Sequence, residues 1–452
     1  MRLSRDKLIF FAEYAFFLLA MLLISDALTP LLYPPSREEL DLGDSNSNRL
    51  FLATIVYLIA LVLLVPRLKY ATAYLVKRPE LVLLIVLPLA SVFWAADTFP
   101  VARRASAHAL TITFCLYVVT RYSADEFMER LLITFWIGMC ASVILCLLVP
   151  EVSVTLGSIN QGAWFGVYGH KAIAGRMCAV SIFVALLYTP TSKMMKLIKI
   201  MTLAATVILC AATQARASWL LIIFGGGVMC AVQLLRMRRL SVGIRLVIVC
   251  SVVVSMAILG TATFSDLLLA MGRDASLSGR TTLWNAATAV ASDNHPWLGS
   301  GYRDFWLGPS VELVQRYMTS WARMPAHGHN GYLDTWLELG WCGLAVLIFF
   351  LVRTIGSVLV CAVRQPESNI WPVFAVCCLI FIVNNISATV ALRHTDAAWV
   401  LIVVASLYTA KFKISSASNR RAYGADSVKG MYGTEAVYHG GGHLLAWRRV
   451  PG

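Results

Sequence analysis

The sequence predicts an all-α polytopic membrane protein of about twelve transmembrane helices with one large external loop. Two observations predict it. Of the 452 residues, 59% are hydrophobic and 14% charged, against roughly 45–50% and 25% in an ordinary globular domain. The apolar residues also come in blocks of about 15–25, each long enough to cross a bilayer. A soluble enzyme, a disulfide scaffold and a disordered chain are thereby excluded. The net charge of +14 would suggest nucleic acid in a soluble protein. Here it reads as loop charge facing the cytoplasm and anionic lipid, and no nucleic-acid partner is expected.

The spans follow in order. Met1–Lys7 precedes an apolar run from Leu8 with no small-residue cleavage site, read as a retained first span at 8–32. Spans near 50–66 and 79–95 are joined through Arg67, Lys69, Lys77 and Arg78. Arg121 and Arg130 lie between spans near 105–120 and 131–149, and Lys193, Lys196 and Lys199 between those near 172–189 and 198–213. Spans near 216–235 and 243–262 flank Arg236, Arg238, Arg239 and Arg245. The last three fall near 329–352, 371–391 and 396–410. With the N-terminus inside, 25 of the 38 Lys and Arg face the cytoplasm, the bias that sets orientation. An even number of spans puts both termini there.

Of the 13 cations left outside, twelve are arginine and one is Lys171. The planar arginine fork binds phosphate bidentately and keeps its charge on partial burial, so the set points to a phosphorylated substrate. Residues 263–328, between spans nine and ten, form the large loop. It holds Arg273, Arg280, Arg303, Arg316 and Arg323 with Trp284, Trp297, Tyr302, Trp306, Tyr317 and Trp321. Aromatics and arginines together suit a glycan carrying a phosphate, though Trp and Tyr also serve as interfacial anchors. The 11 cysteines are odd in number, lie in apolar blocks and show no zinc spacing. No metal site or cofactor is expected. The tail, 411–452, lacks periodicity and is expected to be a disordered cytoplasmic segment after a single transmembrane domain, 1–410.

The strongest local signal runs from Ala326 to Leu344, a polar junction that opens a membrane helix. His329 stands at the helix start, where backbone N–H groups and the helix dipole favour an anion and a neutral imidazole. Such an imidazole can act as a general base; an interfacial hydrogen bond is the plainer role for a lone histidine. Gly340 and Gly343 leave room for another helix. His327, between Ala326 and Gly328, reads as loop.

These residues resemble a known family. His329-Asn330, nine residues, then Gly340-x-x-Gly343 is similar to the His-Asn/Ser/Gln-x9-Gly-x-x-Gly signature of the O-antigen ligase and polysaccharide polymerase superfamily. Trp94-Ala95-Ala96-Asp97 resembles its Trp-Ser-x-Asp-Pro stretch, departing at Ala95 and Thr98. Gly169-His170-Lys171-Ala172-Ile173-Ala174-Gly175 resembles its His-Lys-Asn-x-x-Gly stretch, with Ala172 in place of Asn. Thr213 to Ser218 is similar to its Ser-x-Ser-Arg turn, and Leu277–Trp284 and Gly299–Trp306 look most like the exopolysaccharide polymerase branch. The likeness covers roughly residues 79–410.

The resemblance implies an inverting, metal-independent glycosyltransferase in the bacterial inner membrane with its active site facing the periplasm. Its donor would be a glycan on undecaprenyl diphosphate. Its acceptor would be a hydroxyl on another lipid-linked glycan, for a polymerase, or on lipid A–core, for a ligase. By motif matching, Arg216 and Arg280 would hold the diphosphate and His329 would activate the acceptor, with Lys171 and Arg303 as further donor contacts. A lipid-linked glycan flippase or other transporter is the competing class, since it too would place arginines inside a bundle. If the charge bias sets the topology, a cysteine at Ser310 in a cysteine-free background reacts with an impermeant thiol reagent before the inner membrane is breached. Labelling only after breach would invert the orientation.

Overall fold

Helices begin where loop charge gives way to apolar residues, several of them on a side-chain cap. The computed structural model describes residues 5–28, 32, 47–156, 161–237, 241, 243–244, 247, 280–317, 327–430, 434–439 and 443–449. The helices are α1 (Arg5–Ile24), α2 (Ser47–Leu64), α3 (Leu68–Val76), α4 (Pro79–Ala90), α5 (Thr98–Arg121), α6 (Ala124–Leu148) and α7 (Lys171–Leu187). They continue with α8 (Lys193–Ala212), α9 (Arg216–Arg236), α10 (Arg280–Asn294), α11 (Ser310–Tyr317), α12 (Gly331–Arg364), α13 (Ile370–Ser387) and α14 (Ala397–Gly430). Ser123 and Glu126 form a capping box on α6, and Ser192 caps α8.

The protein is an all-α polytopic membrane protein. Among the described residues, eight helical stretches are long and apolar enough to cross a membrane: Lys7–Ile24, Phe51–Val76, Ala124–Leu148, Lys193–Ala212, Arg216–Arg236, Gly331–Arg364, Ile370–Ser387 and Ala397–Ala417. Three further expected spans are helices that fall short of those criteria. The apolar helix Pro79–Phe93 is too short, α7 has 17 residues, and α5 carries Arg103, Arg104, His108 and Arg121. The span expected at 243–262 and residues 263–279 and 318–326 of the loop lie outside the described residues, apart from 243–244 and 247.

The first half of α14 is the central post, with every residue from Trp399 to Ala410 buried. Around it pack α5, α12 and α13. A buried ion triad ties α4 to α12 and α14: Arg78 pairs with Glu80 at 3.3 Å, Glu80 pairs with Arg353, and Arg78 also bonds Thr409. At the same end, Arg236 closes α9 onto the Ser368 carbonyl, 2.6 Å away, just before α13. Helix α14 runs to Gly430, and β1 (Thr434–His439) pairs antiparallel with β2 (His443–Arg449). The two segments flank Gly440-Gly441-Gly442, a composition suited to a hairpin connection, which lack of helical periodicity alone does not reveal.

Helix α12 is broken. Gly340 has φ 66° and ψ −171°, and the chain resumes as helix on its far side. A break inside an apolar helix frees backbone groups that lipid cannot satisfy. Residues 296–301 satisfy them: Ser300 N–H donates to the Leu337 carbonyl (3.1 Å) and Gly301 N–H to that of Glu338 (3.0 Å). In return Trp341 N–H donates to the Pro296 carbonyl (2.9 Å) and Cys342 N–H to that of Trp297 (3.2 Å). Gly340 therefore does not serve a helix–helix contact as expected. Gly340 admits the external segment, since a Cβ there would lie 2.1 Å from the Trp297 carbonyl.

Gly340→Ala should therefore be strongly destabilising, combining that overlap with a backbone region essentially restricted to glycine, which costs an ordinary residue about 1–3 kcal/mol. Gly356→Ala, in the same helix with nothing within 4 Å of the added Cβ, should raise stability by up to about 1 kcal/mol. Thermal unfolding midpoints in detergent, falling for the first and not for the second, check this.

Candidate active site

The break in α12 fixes the segment that leads into its N-terminus. Asn330 caps the helix, its Oδ1 accepting from Tyr332 N–H (3.1 Å) and Leu333 N–H (3.2 Å). His329 precedes the cap with φ 53°, a left-handed backbone uncommon outside glycine. Its own N–H donates to His327 Nδ1 (3.2 Å), and the two imidazoles meet edge to face with centroids 4.2 Å apart. His327 is thus more than loop. Its Nδ1 acts as acceptor here and its ring covers one side of His329. The indole of Trp284, on α10, donates to the Gly328 carbonyl at 2.7 Å.

Further along, Tyr302 N–H donates to Ser91 Oγ (2.9 Å), and the Arg104 guanidinium donates to the Arg303 carbonyl (3.0 Å). Arg303 itself has φ 57°. Its backbone N–H bonds the carboxylate of buried Glu338, and its guanidinium and that of Arg393 act on the same carboxylate. Asp304 Oδ2 accepts from Ala96 N–H at 3.0 Å, joining the Trp94–Asp97 turn to the loop.

The residues predicted from sequence fall into two groups. Arg280, Arg303 and His329 gather at the end of the bundle where α12 begins. Arg280, at the start of α10, donates to the Ser387 carbonyl at the close of α13 (3.4 Å). Lys171 and Arg216 open α7 and α9, which cross closely at Gly175, where a Cβ would lie 2.0 Å from Ser218 Oγ. Arg216 is exposed on the first turn of α9. Helix α9 packs along α13 and ends beside its start, so Arg216 and Ser387 lie at the same end of that pair. Among the described residues no group of three or more His, Cys, Asp and Glu is arranged to hold a metal ion. Sequence reasoning missed the supporting shell of His327, Trp284, Trp306, Asp334 and Thr389. A signal existed for Asp334, an acid one turn inside an apolar helix, whose side chain leans back toward the N-terminus.

Comparison with known proteins bears on this same stretch. Residues 200–348 match the O-antigen ligase family. The matched region contains Arg216, Arg280, Arg303 and His329 and excludes Lys171. The chain is also 32% identical over 123 residues to the exopolysaccharide production protein ExoQ of Rhizobium meliloti, a stretch covering 26% of this chain and 28% of that relative. The match thus spans little more than a quarter of the relative's length. Both findings are likenesses of the same kind as the one carried by the motifs, and the family match takes in the His329–Gly343 stretch.

One titration reports on the docked loop. Burial pushes the Asp304 carboxyl above the ordinary carboxylate range, and Asp97 adds to it; the Ala96 and Asp97 N–H groups and Arg104 pull the other way. Its Oδ1 finds no hydrogen-bond partner among the described residues. A carboxyl raised in the folded state holds its proton more tightly than in the unfolded chain. Its stabilising contribution is full below the ordinary value and is lost as pH climbs through the raised one. The unfolding midpoint should fall over that window in the wild type, and Asp304→Asn should flatten the fall.

Proposed function

We propose that the protein is a membrane glycosyltransferase of surface polysaccharide assembly. On this reading it moves a glycan from undecaprenyl diphosphate to a sugar hydroxyl at the periplasmic face of the inner membrane. Residues 1–410 then form one transmembrane domain of twelve spans, with 263–328 as its periplasmic loop and 411–452 in the cytoplasm. The observation that carries the reading is the His329 turn. An imidazole is held against the mouth of a capped membrane helix, inside the stretch that matches the O-antigen ligase family.

The chemistry follows from the groups at hand. The acceptor hydroxyl is a poor nucleophile, and His329 takes its proton as the oxygen attacks the anomeric carbon. The bond from that carbon to the phosphate oxygen breaks with inversion, and the electron pair leaves on the diphosphate. Arg216 and Arg280 stabilise the charge developing there, with Lys171 and Arg303 as further donor contacts. The diphosphate already activates the sugar, so the step draws on no nucleotide, metal or other cofactor. The docked loop excludes water that would otherwise hydrolyse the donor. The acceptor is taken as a second lipid-linked glycan, making the protein a polymerase, because the relative it resembles is named for exopolysaccharide production. Transfer to lipid A–core is the second reading, favoured by the family description.

Removing a general base typically costs about 10²–10⁴-fold in rate. His329→Ala should therefore abolish detectable transfer while donor binding persists. Arg216→Lys and Arg280→Lys keep charge but lose the bidentate fork, so each should cut activity sharply; EDTA should leave it unchanged. A purified transfer assay with donor binding measured separately decides. Wild-type turnover by His329→Ala would make the histidine a structural cap. Loss in EDTA restored by a divalent ion would put a metal on the diphosphate instead.

A further inference from the structure

We infer that Asp334 is the positioning residue of the site, holding the His329 turn in its working geometry. The inference rests on the proposed role of His329 as base. Asp334 is 1% exposed, and its side chain binds three different parts of the chain. Oδ1 accepts from Gly328 N–H at 2.9 Å and from the Trp306 indole at 2.8 Å. Oδ2 accepts from the Thr389 hydroxyl. One carboxylate thus joins the turn before α12, the external loop after α10 and the connection after α13.

What the carboxylate holds is a backbone that does not hold itself. His329 at φ 53° persists only where its surroundings over-determine it. Gly328 sits so close that a Cβ on it would lie 2.6 Å from Asp334 Oδ1. With the Trp284 indole on its carbonyl, Gly328 is gripped from both sides, and the next residue is His329. Asp334 reaches the reacting atoms only through that peptide. Its loss displaces the imidazole rather than removing a group that touches substrate, and a displacement of about 1 Å is enough to cost about 10²-fold in rate.

The test is steady-state transfer by purified, folded Asp334→Ala and Asp334→Asn, using a polyprenyl-diphosphate-linked glycan. Asp334→Ala should lower kcat about 100-fold with the donor KM within about threefold. Asp334→Asn keeps an acceptor for Gly328 and Trp306 and should recover to within about tenfold of wild type. A raised KM at unchanged kcat overturns the inference. If Asp334→Ala does not fold, Trp306→Phe and Thr389→Val each remove one of its bonds. A fall in kcat at constant KM in both supports the role, and wild-type kcat in both overturns it. An inactive His329→Ala beside a fully active Asp334→Ala sinks this inference alone. A fully active His329→Ala sinks the base itself.

Discussion

The end of the bundle that carries the candidate site depends on one exchange of backbone hydrogen bonds. Breaking α12 at Gly340 leaves two carbonyls and two N–H groups without helical partners, and residues 296–301 supply all four. In a membrane such groups have no water to turn to, so the external segment and the helix complete one another. Everything downstream inherits that lock. Tyr302 docks onto Ser91, Arg303 onto Glu338 and Arg104, Asp304 onto Ala96, and Trp306 onto Asp334. The His329 turn is the last link of this chain of contacts.

Much of the architecture is legible in the sequence because lipid enforces it. Runs of apolar residues have one stable form in a bilayer, and eight of the expected spans are helices of spanning length and composition. The shorter or more charged elements, α4, α5 and α7, show where the pattern is less strict. Helices α5 and α7 bury much of their length against their neighbours, while α4 keeps Leu83 and Val86 on an exposed apolar face. The hairpin after α14 escapes a reading based on helical periodicity, because a strand's signal is an alternation over only a few residues.

The site divides in the same way. His329 is visible as a polar residue at the mouth of an apolar helix, and Arg216 and Arg280 only through the motifs in which they stand. The role of Gly340 is not, because a glycine spaced for helix packing and a glycine that breaks a helix look alike in one dimension. Nor is the partnership of Asp334 with Trp306 and Thr389, which lie 28 and 55 residues away. Their meeting depends on the loop being docked, which itself depends on the break. His327 lies in the loop before α12 as expected, and what its neighbours in sequence do not reveal is that its ring packs on His329.

On the proposed reading the energy of the reaction is already stored in the donor's diphosphate bond, so that a base and cations suffice. The most direct test is to give the purified protein, in detergent, a polyprenyl-diphosphate-linked glycan as its one substrate. With no membrane there is no gradient and nothing to cross. Glycosyl transfer predicts products lengthened by whole repeat units, with one polyprenyl diphosphate released for each bond made. Folded protein that makes no such product, yet moves the same lipid across the bilayer when reconstituted in vesicles, would contradict it.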